Sequence, residues 1–182
     1  SFNINFEHEI FDIEEYDFKT KNLEIFVKPL DHGIPCLGYL IKEKDRRRLK
    51  ISEIKKLNIP EGPLLGKLQD NKKIQFNNKT IDPKDVTYLV KGKKISIILD
   101  TLNCNNINKL SIDADLLIIE ASYIEEQKEK ALEYKHLTAQ QAGIIGNNNN
   151  VKKIILTHLS QRYKTPEKLL EEVKTVFEDS VI

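Results

Sequence analysis

The chain has 182 residues, a net charge of +1, two cysteines and no methionine. That length suffices for one domain with a sizeable core, two cysteines are no disulfide framework, and no apolar run approaches the roughly 18 residues a membrane-spanning helix needs. A soluble cytoplasmic protein with no membrane partner is expected, and the near-neutral total charge by itself favours no anionic partner.

In chain order, Phe2, Ile4, Phe6 and Ile10 alternate with polar residues and read as a half-buried strand, with His8 on its apolar side. Further strands are expected from Leu23 to Pro29 and over Cys36 to Ile41, separated by the turn Asp31-His32-Gly33-Ile34-Pro35. From Lys42 to Lys56 eight basic residues face three acidic ones, a local excess of about five positive charges suited to an anionic partner. Pro60, Gly62, Pro63 and Gly66 then punctuate the chain, so residues 43 to 73 read as a protruding arm or loop without strong core periodicity.

The continuous apolar runs Ile95 to Leu99 and Leu116 to Ile119 predict strands buried on both faces. Residues 125 to 135 have helical composition. Thr138 with Gln141 forms a capping-box signature opening a second helix, expected to stop at Gly146. A strand follows over Lys153 to Leu156. Thr165 as N-cap and Pro166 at the first helical position start a last helix, with Leu169, Leu170, Val173, Val176 and Phe177 on one face. The class is α/β.

Polar residues stand where these strands end: Asp31 and His32 after the second, Asp100 after the 95–99 run, Glu120 after the 116–119 run, and Thr157 and His158 after the last. His136 precedes a helix cap. In open α/β sheets, sites gather at carboxyl strand ends, because side chains converge there without being buried in the sheet. Two histidines and an aspartate at separate ends are a plausible zinc-ligand set, although the long spacing equally allows capped turns. No G-x-S-x-G elbow surrounds Ser111, Ser122 or Ser160, and no phosphate-binding glycine loop occurs.

The blocks PLDHGIPCLGYLIKEK, LNIPEGPLLGKLQ, LDT, LLIIEASY, EYKHLTAQQAG and IILTHLSQRYK, in this order, resemble ribonuclease Z, the zinc-dependent endonuclease that trims precursor tRNA at its 3′ end. The resemblance implies the metallo-β-lactamase αββα sandwich with a two-zinc site at its edge. It implies that His32, Asp100 and His158 are zinc ligands and that Glu120 orients a catalytic His136. It further implies a tRNA-gripping arm, carried here by Arg46, Arg47, Arg48, Lys50, Lys55, Lys56, Gly62, Pro63 and Lys67 within residues 43–73. Precursor tRNA would be the partner and a homodimer the assembly.

The family's H-x-H-x-D-H motif is absent: the four histidines, at 8, 32, 136 and 158, are too far apart to form it. The expectation is therefore that residues 1–182 are the C-terminal part of such a domain, inactive alone, with an uncovered sheet face that favours association. The alternatives are another metallo-β-lactamase-fold phosphodiesterase or hydrolase, or a non-catalytic tRNA-binding or dimerisation module.

Overall fold

The computed structural model describes residues 17–182, so the strand expected over Phe2 to Ile10, and His8 with it, lie outside the described residues. The elements in chain order are β1 (Phe18–Lys19), β2 (Leu23–Pro29), β3 (Leu37–Glu43), β4 (Arg46–Leu49), α1 (Ile51–Lys56), α2 (Pro63–Gln69), β5 (Ile74–Phe76), β6 (Lys79–Ile81), α3 (Pro83–Val86) and β7 (Thr87–Val90). They continue with β8 (Lys94–Ile98), α4 (Asn105–Ser111), β9 (Leu116–Glu120), α5 (Lys128–Glu133), α6 (Ala139–Asn148), β10 (Ile154–Thr157), α7 (Glu167–Lys174) and β11 (Ser180–Val181). Two compact units result, one built from residues through Thr20, Glu24–Ile41 and Lys94–Ile182, the other from Lys21–Leu23 and Lys42–Lys93.

The larger unit centres on a seven-stranded sheet of order β1-β2-β3-β8-β9-β10-β11, in which β8, β9, β10 and β11 run parallel. Parallel neighbours place the carboxyl ends of β8, β9 and β10 along one edge, which is what brings Asp100, Glu120 and His158 together. The helices α4, α6 and α7 cover one face, burying Ile98, Leu117, Ile119, Ile154 and Leu156 against Ile107, Leu110, Ala142, Ile145, Leu169 and Val173. On the other face Ile97, Ile118 and Ile155 stand in one register row and are only half-buried, where the apolar runs had suggested burial on both faces.

The capping box is formed as expected. Thr138 Oγ1 accepts from the Gln141 amide, and Gln141 Oε1 accepts from the Thr138 amide. With its first turn closed, α6 runs to Asn148, two residues beyond the expected stop at Gly146. The Gly146 backbone is helical, and its hydrogen side lets Ile154 and Phe177 close in, so this glycine serves packing and does not end the helix. The last helix starts one residue late, with Pro166 as its N-cap.

The smaller unit differs from the loop expected over 43–73. Ile54, Ile59, Leu68, Ile74, Ile81 and Val86 form a core of their own. These residues come from short helices, from the α1–α2 connection at Ile59 and from the β5–β6 hairpin, whose Asn77 and Asn78 both adopt the left-handed backbone of a tight two-residue turn. No single period links residues contributed by such short pieces, which is why the core escaped the pattern reading. The two ends of the unit are clasped: the Glu43 amide donates to the Lys93 carbonyl at 2.8 Å, and Asp45 accepts from Gly92 N at 3.0 Å and Lys91 Nζ at 2.7 Å. Among the described residues no helix is long and apolar enough to cross a membrane.

Candidate metal centre

The site is built on the β8, β9 and β10 edge. Asp100 follows β8 with φ of +25° and His158 follows β10 with φ of +51°, a left-handed backbone that costs free energy in any residue with a Cβ. Strain of this kind at the ends of two strands that flank β9 persists only where the surrounding contacts dictate it. Glu120, the last residue of β9, has no solvent exposure. Its carboxylate accepts from Thr101 N at 2.6 Å, from Ser122 Oγ at 2.9 Å, and from His136 Nδ1 at 3.0 and 3.1 Å to its two oxygens. Such charge-assisted bonds offset the cost of burying the charge.

His136 enters from the loop before α6. Lys135 next to it also has positive φ, and its carbonyl accepts from His32 Nδ1 at 3.0 Å. A carbonyl can only accept, so His32 keeps Nε2 unprotonated when neutral. His32 is held in place through its neighbour: Asp31 O accepts from Leu102 N at 2.8 Å, Asp31 N donates to Thr101 Oγ1 at 3.1 Å, and Asp31 Oδ1 pairs with Lys135 Nζ at 2.8 Å. The ring of His136 lies between two others, 5.0 Å from the His32 centroid and 5.2 Å from that of His158.

One donor atom from each of Asp100, His136 and His158 falls within 4.8 Å of the others, a group that could hold a metal ion. Asp100 Oδ1 tests the fit. It is buried, yet among the described residues it accepts no well-directed hydrogen bond, although His158 Nε2 is only 3.1 Å away. An orphaned carboxylate oxygen beside an imidazole nitrogen that is not aimed to donate is what two ligands of one cation look like without it. The donor types, carboxylate and imidazole, suit a divalent transition ion. Cys36 adjoins this charge: burial pushes its thiol above the ordinary value, and Asp100 raises it further.

The structure thus gathers four of the five residues read from the sequence into direct contacts, with Glu120 on His136 and Asp100 on His158. The compact donor group contains His136 in place of the expected His32, whose ring lies beside that of His136 at an interplanar angle of 49°. Ser122, Thr101 and Lys135, which tie these groups together, lie within the blocks LLIIEASY, LDT and EYKHLTAQQAG, but the sequence assigns them no role.

In the smaller unit, Arg46 and Arg48 are exposed on β4, while Arg47 donates to Thr87 Oγ1 at 3.1 Å. Lys50 Nζ donates to the Asp85 carbonyl at 3.1 Å and Lys56 pairs with Glu53 at 2.8 Å. Lys55 and Lys67 are exposed, and Gly62, with φ of +141°, turns the chain into α2 at Pro63.

No family model matches the chain. It is 36% identical over 186 residues to ribonuclease Z of Lactococcus lactis subsp. lactis, covering 100% of this chain and 60% of that protein. The chain is homologous to ribonuclease Z. The ribonuclease Z of Protochlamydia amoebophila is 36% identical over 153 residues, 84% of this chain and 50% of that protein. The chain spans little more than half the length of the curated ribonuclease Z proteins it matches. Among solved structures, the metallo-β-lactamase fold protein YhfI from Bacillus subtilis superposes with a TM-score of 0.60 at 17% identity, over 95% of this chain and 51% of that one. Human tRNase Z, short form, superposes at 0.50 with 24% identity, over 83% and 42%. The fold is that of the metallo-β-lactamase proteins, as the motif blocks had implied.

Proposed function

We propose that this chain carries part of the metal site and the RNA-gripping unit of a zinc-dependent endoribonuclease that removes the 3′ trailer of precursor tRNA. The orphaned Asp100 Oδ1, 3.1 Å from His158 Nε2, is the observation that supports this most directly, and homology to ribonuclease Z supplies the substrate class.

In this reading His32, Asp100 and His158 are the zinc ligands contributed by the chain. Zinc bound there supplies Lewis-acid polarisation of the scissile phosphate. His136, with Nδ1 donating to the Glu120 carboxylate, turns Nε2 to the substrate. In its protonated form Nε2 gives its proton to the ribose oxygen that leaves as water adds to phosphorus, and Glu120 stabilises the imidazolium. The exposed Arg46, Arg48, Lys55 and Lys67 bind RNA phosphates, which supply affinity and position without base readout. Ile97, Ile118 and Ile155, half-buried in one row, suit the inner sheet face that the second sheet of an αββα sandwich would cover, and the assembly of the longer protein in this reading is a homodimer.

The test uses the full-length gene product. It should retain zinc through dialysis and cleave precursor tRNA at the 3′ end of the acceptor stem, and Asp100→Ala should lose both. Retention of cleavage after exhaustive zinc removal, or an Asp100→Ala variant with unchanged zinc content, would overturn the reading.

A further inference from the structure

Ser122 has no part in the reading above, yet it is 3% exposed and its hydroxyl touches three polar atoms. Oγ lies 2.9 Å from Glu120 Oε2, 2.9 Å from the His158 carbonyl oxygen and 3.0 Å from His158 Nδ1. A hydroxyl has one proton and two lone pairs. A carboxylate and a carbonyl can only accept, so the Ser122 proton goes to one of them whichever wins, and a lone pair of Oγ is left for Nδ1. Donation to Nδ1 instead would set the Oγ lone pairs against two acceptor oxygens at 2.9 Å. The ring therefore carries a proton on Nδ1, and in its neutral form Nε2 presents a lone pair to Asp100 Oδ1 at 3.1 Å.

We propose that Ser122 is a positioning residue: it fixes His158 in the Nδ1–H tautomer, so that Nε2 and Asp100 Oδ1 face a shared divalent cation. This rests on the reading that Asp100 and His158 hold the metal. The same hydroxyl reaches the His158 carbonyl, and so braces the left-handed backbone, φ +51°, that carries the ring. Where the proton goes to the carboxylate instead of that carbonyl, Glu120 acts on two imidazoles, directly on the ring of His136 and at one remove on that of His158. Groups that orient a metal-binding histidine in this way commonly change metal affinity by about 10- to 100-fold when removed.

The test compares wild type with Ser122→Ala and Ser122→Thr, where threonine keeps the hydroxyl. Imidazole 15N shifts of the metal-free protein at about pH 8.5, where an ordinary histidine is neutral, report the tautomer of His158. Competition with a chromophoric chelator reports zinc affinity. Wild type and Ser122→Thr should show a single Nδ1–H tautomer. Ser122→Ala should show a mixture with Nε2–H and a zinc dissociation constant raised about 10- to 100-fold, with its circular dichroism unchanged. A Ser122→Ala protein with wild-type tautomer and affinity would overturn the proposal, as would equal losses in the alanine and threonine variants. The two readings fail differently. Wild type binding no zinc while the tautomer responds to alanine would remove the metal reading. An unresponsive tautomer in a zinc-binding protein would remove the role of Ser122 alone.

Discussion

Replacing Glu120 with glutamine separates a carboxylate sustained by its partners from one that merely fills space. The side chain keeps its shape. An amide oxygen can still accept from Thr101 N and His136 Nδ1 if the NH2 group is turned to Ser122, whose hydroxyl then accepts instead of donating. No buried donor need be orphaned, but three bonds to a charge become three between neutral groups. Hydrogen bonds to charged groups contribute about 1.5–3 kcal/mol and neutral ones about 0.5–1.5, so each bond loses roughly 1 kcal/mol and the three together about 3 kcal/mol. In a domain of this size 1 kcal/mol shifts Tm by about 2–4 °C, which gives a drop of roughly 6–12 °C. Thermal unfolding of the metal-free proteins, followed by circular dichroism at neutral pH, measures it. A Glu120→Gln variant melting at or above the wild-type temperature would refute the reasoning, because burying the charge would then cost at least as much as its three bonds return.

The double substitution Arg46→Ala with Arg48→Ala should lower affinity for precursor tRNA and reduce the slope of log K against log salt by about 2, read by filter binding over a salt series; an unchanged slope would remove these two residues from the RNA contact. Leu68 has no solvent exposure, and Leu68→Ala should cost about 2–5 kcal/mol in urea unfolding, with faster amide exchange within Lys42–Lys93; a loss under about 1 kcal/mol would mean that this core is not packed as described. The Lys84 amide and then Lys73 hold the Asp82 carboxyl below its ordinary value. A carboxyl lowered on folding contributes stability that is complete above its unfolded value, near 4, and is lost as pH falls through the folded one. The stability difference between wild type and Asp82→Ala should therefore be constant at neutral pH and shrink below about pH 4, as urea titrations across pH would show; a difference that grows on acidification would reverse the sign argued here.

The parallel strands and their polar ends were legible because local pattern and topology agree. Apolar runs closing on Asp100, Glu120 and His158 mean strands, and parallel strands align their carboxyl ends without further information. The ties between those ends were not legible. Nothing in the chain near Lys135 announces that its carbonyl meets His32, more than a hundred residues away, and Ser122 reads as an ordinary small residue until Glu120 and His158 close around it. The core of the smaller unit was missed for a different reason. Its six buried residues are spread over Ile54 to Val86 on elements too short to show a period, and the prolines and glycines at 60–66 read as loop although Pro63 begins a helix.

The clasp between Glu43 and Lys93 makes the intervening fifty or so residues a cassette in the chain's own grammar. Its entrance and exit are held one hydrogen bond apart, so the chain on either side needs only that closure, whatever the cassette contains. Hairpins and helices within it can lengthen, change charge or be exchanged with little demand on the strands that lead in and out.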